Sequence, residues 1–268
     1  MNTVGCGCGQ WVESLPSTLA MWVFRMNLLI DLGNSRLKWA VQDPESWQTG
    51  VLDHWHDVER ELDRAWGSIT PSRVVMSSVA DGEMTGRVQR WILQRWSLTP
   101  ASVVAVPEQL GVRNGYEHPS QLGSDRWAAL VAARALFQGR LCIVDCGTAV
   151  TIDALSEAGE FMGGTILPGL ATMRRSLAAS TSLVPSPGRD RNCLARSTDD
   201  GVAAGTRFAL AGAVDRLLEE YEHVLGVPMP VILTGGDAET LRADLHYPAQ
   251  LAPDLVLRGI ALIATVLP

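Results

Sequence analysis

The strongest constraint on this chain is one pattern that occurs twice. Leu28-Leu29-Ile30-Asp31-Leu32-Gly33-Asn34-Ser35-Arg36-Leu37-Lys38-Trp39-Ala40-Val41 reads as an apolar strand ending in an acid, a Gly-Asn turn, and a second, alternating strand. Leu141-Cys142-Ile143-Val144-Asp145-Cys146-Gly147-Thr148-Ala149-Val150-Thr151-Ile152-Asp153 repeats the same order of events. Gly and Asn tolerate left-handed backbone angles, so the pattern predicts tight hairpin turns. The N–H groups of such a turn line a concavity that accepts phosphate oxygens, although a single turn of this kind often does no more than join two strands. The repetition predicts two related halves, each setting a carboxylate and a glycine turn at a strand end. Thr234-Gly235-Gly236-Asp237, after the strand-like Val231-Ile232-Leu233, supplies a third turn. Three strand-end turns can surround one nucleotide in a cleft between the halves.

Between these landmarks the apolar spacing switches between strand and helix periods. The first half reads β-β-β-α-β-α-β: the hairpin, a short strand at 50–52, a helix over 57–66, a strand over 73–79, a helix over 82–96 and a strand over 101–106 closed by Pro107. Residues 111–119 have turn composition and are expected to form an exposed loop. A helix over 127–137 follows, with Ser124 or Asp125 near its start and suited to cap it. The second half reads β-β-β-α-α-β-α-β-α. Its strands are expected at 141–145, 149–155, 161–167, 230–234 and 249–252. Its helices are expected from Gly169 to 179 and over 199–224, 238–245 and 254–266, with a polar, mobile loop over 184–197. The matching orders predict an α/β fold of two duplicated halves, 26–124 and 125–268, with a cleft between them.

Composition narrows the function. The 268 residues are 47% hydrophobic and 19% charged, which suits a well-cored protein. The net charge of -7 gives no general attraction to nucleic acid or to an anionic membrane. An anionic ligand therefore needs local backbone N–H groups, Lys, Arg or a metal. No apolar run approaches the roughly 20 residues that span a bilayer. The cysteines, at 6, 8, 142, 146 and 193, form no disulfide framework, and Cys6-x-Cys8 has no second pair with which to complete a zinc site. Cys142 and Cys146 fall in or beside a strand expected to be buried, where they act as small hydrophobes, and a reduced cytoplasmic setting is expected. Residues 1–25 carry a short apolar stretch, Leu19–Phe24, without preceding basic residues or a cleavage pattern. They read as an extension outside the fold with Met26 as the functional start; the alternative is an amphipathic arm that packs on a partner.

A phosphoryl-transfer site needs N–H donors and a cation for the triphosphate and a positioned base for the acceptor hydroxyl. Gly33 and Asn34 at one turn, and Gly147 and Thr148 at the other, can supply donors from two sides. Lys38 lies at even spacing from Asn34 and can reach a phosphate, or it is an ordinary solvated lysine. Asp31 and Asp145, at the ends of apolar strands, suit a hydrated magnesium or another cation. Asp125 is separate from both and is a candidate base.

Taken in order, Asp31-Leu32-Gly33-Asn34-Ser35-Arg36-Leu37-Lys38, Gly123-Ser124-Asp125-Arg126 and Asp145-Cys146-Gly147-Thr148 resemble the type III pantothenate kinases. Gly163-Gly164-Thr165-Ile166-Leu167-Pro168-Gly169, Ser197-Thr198 and Thr234-Gly235-Gly236 extend the match over nearly the whole chain from Met26. That family belongs to the acetate and sugar kinase, Hsp70 and actin superfamily, so the resemblance implies two actin-like, ribonuclease H-like halves. It implies ATP-dependent phosphorylation of pantothenate to 4'-phosphopantothenate, the first step toward coenzyme A. It also implies that residues Asp31 to Lys38 and Thr148 bind ATP, that Asp125 is the general base, and that Tyr116, Gly123, Ser124, Asp125, Arg126 and Thr198 bind pantothenate. Asp145 matches a ligand of a monovalent cation, potassium or ammonium, beside magnesium. A homodimer is implied, with some pantothenate pockets of the family completed across the interface. Two other readings stand beside this one: a regulatory, non-catalytic relative, and a kinase for another small hydroxy acid.

Overall fold

The structure is a computed structural model that describes residues 26–53, 57–181 and 192–268. The expectations for residues 1–25 and for most of the polar loop lie outside the described residues. In the first sheet β1 (Asn27–Leu32), β2 (Arg36–Gln42) and β3 (Trp47–Asp53) form an antiparallel meander. After α1 (Val58–Trp66), β4 (Arg73–Ser78) returns parallel to β1, and after α2 (Gly82–Trp96) the short β5 (Ala101–Ser102) pairs parallel to β4. The strand order is β3-β2-β1-β4-β5.

The second half repeats this plan. It adds β6 (Glu108–Gln109), β7 (Val112–Asn114), α3 (Ser124–Leu136), β8 (Leu141–Cys146), β9 (Ala149–Leu155) and β10 (Glu160–Pro168). Helices α4 (Leu170–Ser180) and α5 (Thr198–Leu225) precede β11 (Val231–Thr234), α6 (Ala238–Arg242), β12 (Ala249–Leu251) and α7 (Leu255–Ala264). The order is β12-β11-β8-β9-β10-β7-β6. Without β6 and β7, both sheets run third, second, first, fourth, fifth strand, with the first three antiparallel and the last two parallel to the first. The duplication expected from the repeated motif is thus a duplication of topology.

Strand alternation decides where the acids point. On β1, Leu28, Ile30 and Leu32 pack with Val58, Leu62 and Trp66 of α1 and with Val88 and Ile92 of α2. Leu29 faces the other way, into a core shared with Ala40, Val75, Trp127 and Leu130 of α3, and Leu257 and Ile260 of α7. Asp31 has the parity of Leu29. On β8, Cys142, Val144 and Cys146 pack with Leu210 and Val214 of α5, while Leu141 and Ile143 join the same shared core. Asp145 has the parity of Ile143. Helices α3 and α7 pack on each other between the two sheets, so both carboxylates project from strand ends into the space that the sheets share.

Four local expectations are corrected. The strand expected over 101–106 makes ladder pairs only at Ala101 and Ser102, and Pro107, which lacks an N–H, ends its extended continuation. The loop expected over 111–119 instead holds β7, part of a small hairpin turned by Leu110 and Gly111, both at positive φ (49° and 78°), and anchored by buried Val112. Neither Gly33 nor Asn34 takes left-handed backbone; the turn closes around Asn34 and Ser35 through the Gly33 N–H to the Arg36 carbonyl (3.0 Å). A Cβ at Gly33 would approach that carbonyl to 3.3 Å, so the residue serves close approach. Finally, α3 begins at Ser124 with Gly123 at the capping position, so neither Ser124 nor Asp125 is the cap.

Candidate active site

Asp31 stands directly across from Lys38 on one side of the ladder and from Ser77 on the other. Ser77 Oγ shares a 2.8 Å hydrogen bond with Ser124 Oγ, which also donates to the Ser78 carbonyl at 3.3 Å. The first turn of α3 is thereby held against β4, and Asp125 is brought beside β1. Asp125 Oδ1 accepts the Arg126 N–H at 2.7 Å. From the second half Asp145 enters the same space. Its Oδ1 is buried and has no hydrogen-bond partner.

The electrostatics bind these groups into one cluster. Burial pushes the Asp31 carboxyl up to about 7, Lys38 opposes the rise, and the charges of Asp125 and Asp145 add to it. Burial likewise pushes Asp145 up, again opposed by Lys38 and reinforced by Asp125. For Lys38 burial acts against the charge, and the attraction of Asp145 and Asp31 outweighs it, holding the ammonium above its ordinary value. One lysine between two desolvated acids leaves negative charge uncompensated. A bound cation would relieve it, and the orphaned Asp145 oxygen is a fitting ligand. Among the described residues no cluster of three or more His, Cys, Asp or Glu side chains is arranged as a metal cage. The chemistry therefore fits an ion that completes its shell with water and ligand oxygens.

The three turns meet around this cluster. In the first, Leu32 and Leu37 are buried in the core, so they offer backbone only. Arg36 is held at Nε by Asp53 Oδ1 (2.9 Å), and its distal end lies over Gly236, where a Cβ would fall 2.5 Å from Nη1. In the second turn, the Thr148 carbonyl accepts the Gly169 N–H (3.0 Å) and the Thr172 hydroxyl (2.7 Å), which anchors the turn to the start of α4. In the third, Gly235 has a φ of 91° and so close a contact that a Cβ would sit 2.5 Å from both Asp145 Oδ1 and the Cys146 carbonyl. Only glycine meets both demands.

Beside the cluster, Tyr116 and Arg126 are joined. Arg126 Nη1 donates to the Tyr116 hydroxyl at 2.7 Å, and the guanidinium lies 5.6 Å from the ring centroids of both Tyr116 and Phe161. Thr198 is placed apart. It opens α5 after the Ser197 cap and lines a groove of about 660 Å³ with Pro168, Thr172, Met173, Gly201 and Gly205; Tyr116 and Arg126 are not among its lining residues.

The type III pantothenate kinase family matches residues 27–220. A type III pantothenate kinase of Nitrosospira multiformis is 41% identical over 239 residues, covering 88% of this chain and 90% of that protein. This chain belongs to the type III pantothenate kinase family. A member from Aromatoleum aromaticum is 38% identical over 245 residues, covering 89% of the chain and 98% of the relative. Among solved structures, the activator of the 2-hydroxyisocaproyl-CoA dehydratase from Clostridium difficile, with bound ADPNP, superposes with a TM-score of 0.53 at 13% identity, covering 89% of this chain and 94% of that one. At that identity the likeness speaks for the fold, a pair of actin-like lobes.

Sequence reasoning passed over Asp153, Phe161, Ser77 and the contacts of Gly235 and Gly236. Asp153 carried a usable signal: an acid in the middle of an otherwise buried strand requires a partner. The rest had none, because each depends on a contact between segments far apart in the chain.

Proposed function

We propose that this member of the family transfers the terminal phosphoryl group of ATP to the hydroxyl of pantothenate, forming 4'-phosphopantothenate as the first step of coenzyme A synthesis. The observation that carries the reading is the convergence of Asp31, Asp145, Lys38 and Asp125 where three glycine turns meet. In this reading the polyphosphate lies against the N–H groups of the segment Asp31 to Lys38 and of the Thr148 turn, with Lys38 neutralising charge. Asp125 orients the pantothenate hydroxyl and accepts its proton. An aspartate suffices, because phosphoryl transfer is loose and positioning outweighs basicity. Tyr116, Gly123, Ser124 and Arg126 hold the rest of the acceptor, and Thr198, set apart from them in the α4–α5 groove, would reach it only from the second copy of a homodimer. Magnesium would be held by Asp31 with phosphate oxygens and water, and potassium or ammonium by Asp145, each supplying charge neutralisation.

We further propose a cytoplasmic homodimer and a division at 124/125. The lobes interleave at that boundary: β6 and β7 already pair with the second sheet, and α7 packs on the first. Among the described residues no helix is long and apolar enough to cross a membrane. The regulatory alternative gains nothing from the site, since a purely binding protein has no use for Asp125 beside the phosphate turns. The deciding experiment is ADP release with and without pantothenate and potassium, using several hydroxy acids as controls. Pantothenate-dependent ADP release that falls at least about 100-fold in Asp125→Asn, with ATP binding retained, is expected. ATP binding without ADP release would favour the regulatory reading, and turnover of another hydroxy acid alone would replace the substrate.

A further inference from the structure

Asp153 is nearly fully buried on β9 and meets Arg126 edge-on: Arg126 Nε donates to Oδ2 at 3.1 Å and Nη2 donates to Oδ1. The guanidinium is thus fixed in three ways, by Asp153 along one edge, by the Tyr116 hydroxyl at Nη1, and by the Tyr116 and Phe161 rings, which themselves pack 5.4 Å apart. Gly164 on β10 completes the fit. Its register partner is Asp153, and a Cβ there would stand 2.1 Å from Asp153 Oδ1 and 2.7 Å from Arg126 Nη2. Gly164 is therefore needed to let a buried ion pair form against the sheet.

A guanidinium carries five N–H donors, and these contacts occupy three of them, leaving one on each terminal nitrogen. Paired N–H groups on one end of an arginine match a carboxylate. We propose that Asp153 is a positioning residue that, in the space opened by Gly164, locks Arg126 so that its remaining N–H groups face the carboxylate of the bound substrate. The inference rests on the pantothenate reading, because that acceptor carries a carboxylate as well as the reacting hydroxyl. Without Asp153, the Tyr116 hydroxyl and the two rings still hold Arg126, but nothing fixes the rotation of its Nε–Nη2 edge, and its aim loosens.

The test uses the full chain with Asp153→Asn, which keeps shape and removes charge. The Michaelis constant for pantothenate should rise about tenfold, with kcat and the ATP constant within about twofold of wild type. The alcohol analogue, in which the carboxylate is replaced by a hydroxymethyl group, should lose little, so the preference for pantothenate over it narrows. A purely structural role would depress kcat and both substrates together. Phe161→Leu removes one face of the ring sandwich and spares the ion pair, and should raise the pantothenate constant about threefold. Gly164→Ala, whose methyl would press on both partners of the ion pair, should narrow the same preference for the acid over the alcohol, and it decides the matter if Asp153→Asn does not fold. A folded variant with an unchanged pantothenate constant, or with equal losses for acid and alcohol, overturns the proposal alone. A wild type without pantothenate-dependent ADP release overturns the substrate reading, and the carboxylate role with it.

Discussion

At the residue scale the site is a place where stability is given up for chemistry. Asp31 is an 8%-exposed acid whose pKa in the folded chain, about 7, lies above its ordinary value of 3.8. Between those values the folded state binds more protons than the unfolded one, so this group makes stability fall as pH rises through the window, with the full penalty above about 7. Asp31→Asn should therefore stabilise the nucleotide-free chain at pH 8, by about 1–3 kcal/mol, and do much less near pH 4. Thermal melts at the two pH values in a chelating buffer check this, and equal effects at both would show that Asp31 is not desolvated. The same variant should lose activity. Lys38→Ala runs the other way. It leaves Asp31 and Asp145 facing each other without compensation, so it should lower stability at pH 8 and raise the Michaelis constant for ATP about tenfold or more; an unchanged response to ATP would return Lys38 to the role of a solvated lysine.

At the element scale the question is how a turn becomes a binding surface. The third turn, between β11 and α6, is the floor under Asp145, and Gly235 is its narrowest point. Gly235→Ala adds a side chain at positive φ against a carboxylate and a carbonyl, and should cost about 2 kcal/mol or more while weakening ATP binding. Melting temperature and nucleotide titration read both, and an alanine tolerated at both would mean the turn has room to shift. This floor also shows what was legible in advance. The strand ends, the acids and the glycine turns could be read from local pattern, since strand alternation alone puts Asp31 and Asp145 on the faces of Leu29 and Ile143. The role of Gly235 could not, because its neighbour Asp145 is distant in the chain. The same holds for Asp153, visible as a misplaced acid yet without a named partner until α3 is docked on β9. The β6–β7 hairpin escaped detection for another reason: strands this short carry too few residues to show a period.

At the scale of the whole molecule, the two halves are duplicated in topology but not separable in packing. Leu29, Ala40 and Val75 of the first sheet and Ile143, Leu155 and Ile232 of the second belong to one core, filled by α3 and α7. Helix α7 follows the last strand of the second sheet yet packs on β1, β2 and β4, and Arg73, at the start of β4, donates to the carbonyls of Ala264 (2.9 Å), Leu267 (3.0 Å) and Pro268 (2.9 Å). The segment that leaves α7 is thus clasped by the first half. Residues 26–124 made alone would expose the Leu29 face of the first sheet, with neither α3 nor α7 to cover it. Apolar burial contributes on the order of 25 cal/mol per Å², so a fragment missing one entire side of its sheet lacks the term that opposes chain entropy. We expect that fragment to lack cooperative melting and sharp amide dispersion, while the whole chain unfolds in a single calorimetric transition with equal calorimetric and van't Hoff enthalpies. Arg73→Ala should lower the melting temperature by a few degrees without splitting that transition, because it releases the clasp and leaves the shared core in place. Two resolved transitions in the intact chain, or a folded 26–124 fragment, would show that the lobes are independent, and the site between them would then be assembled by the ligand rather than by the core.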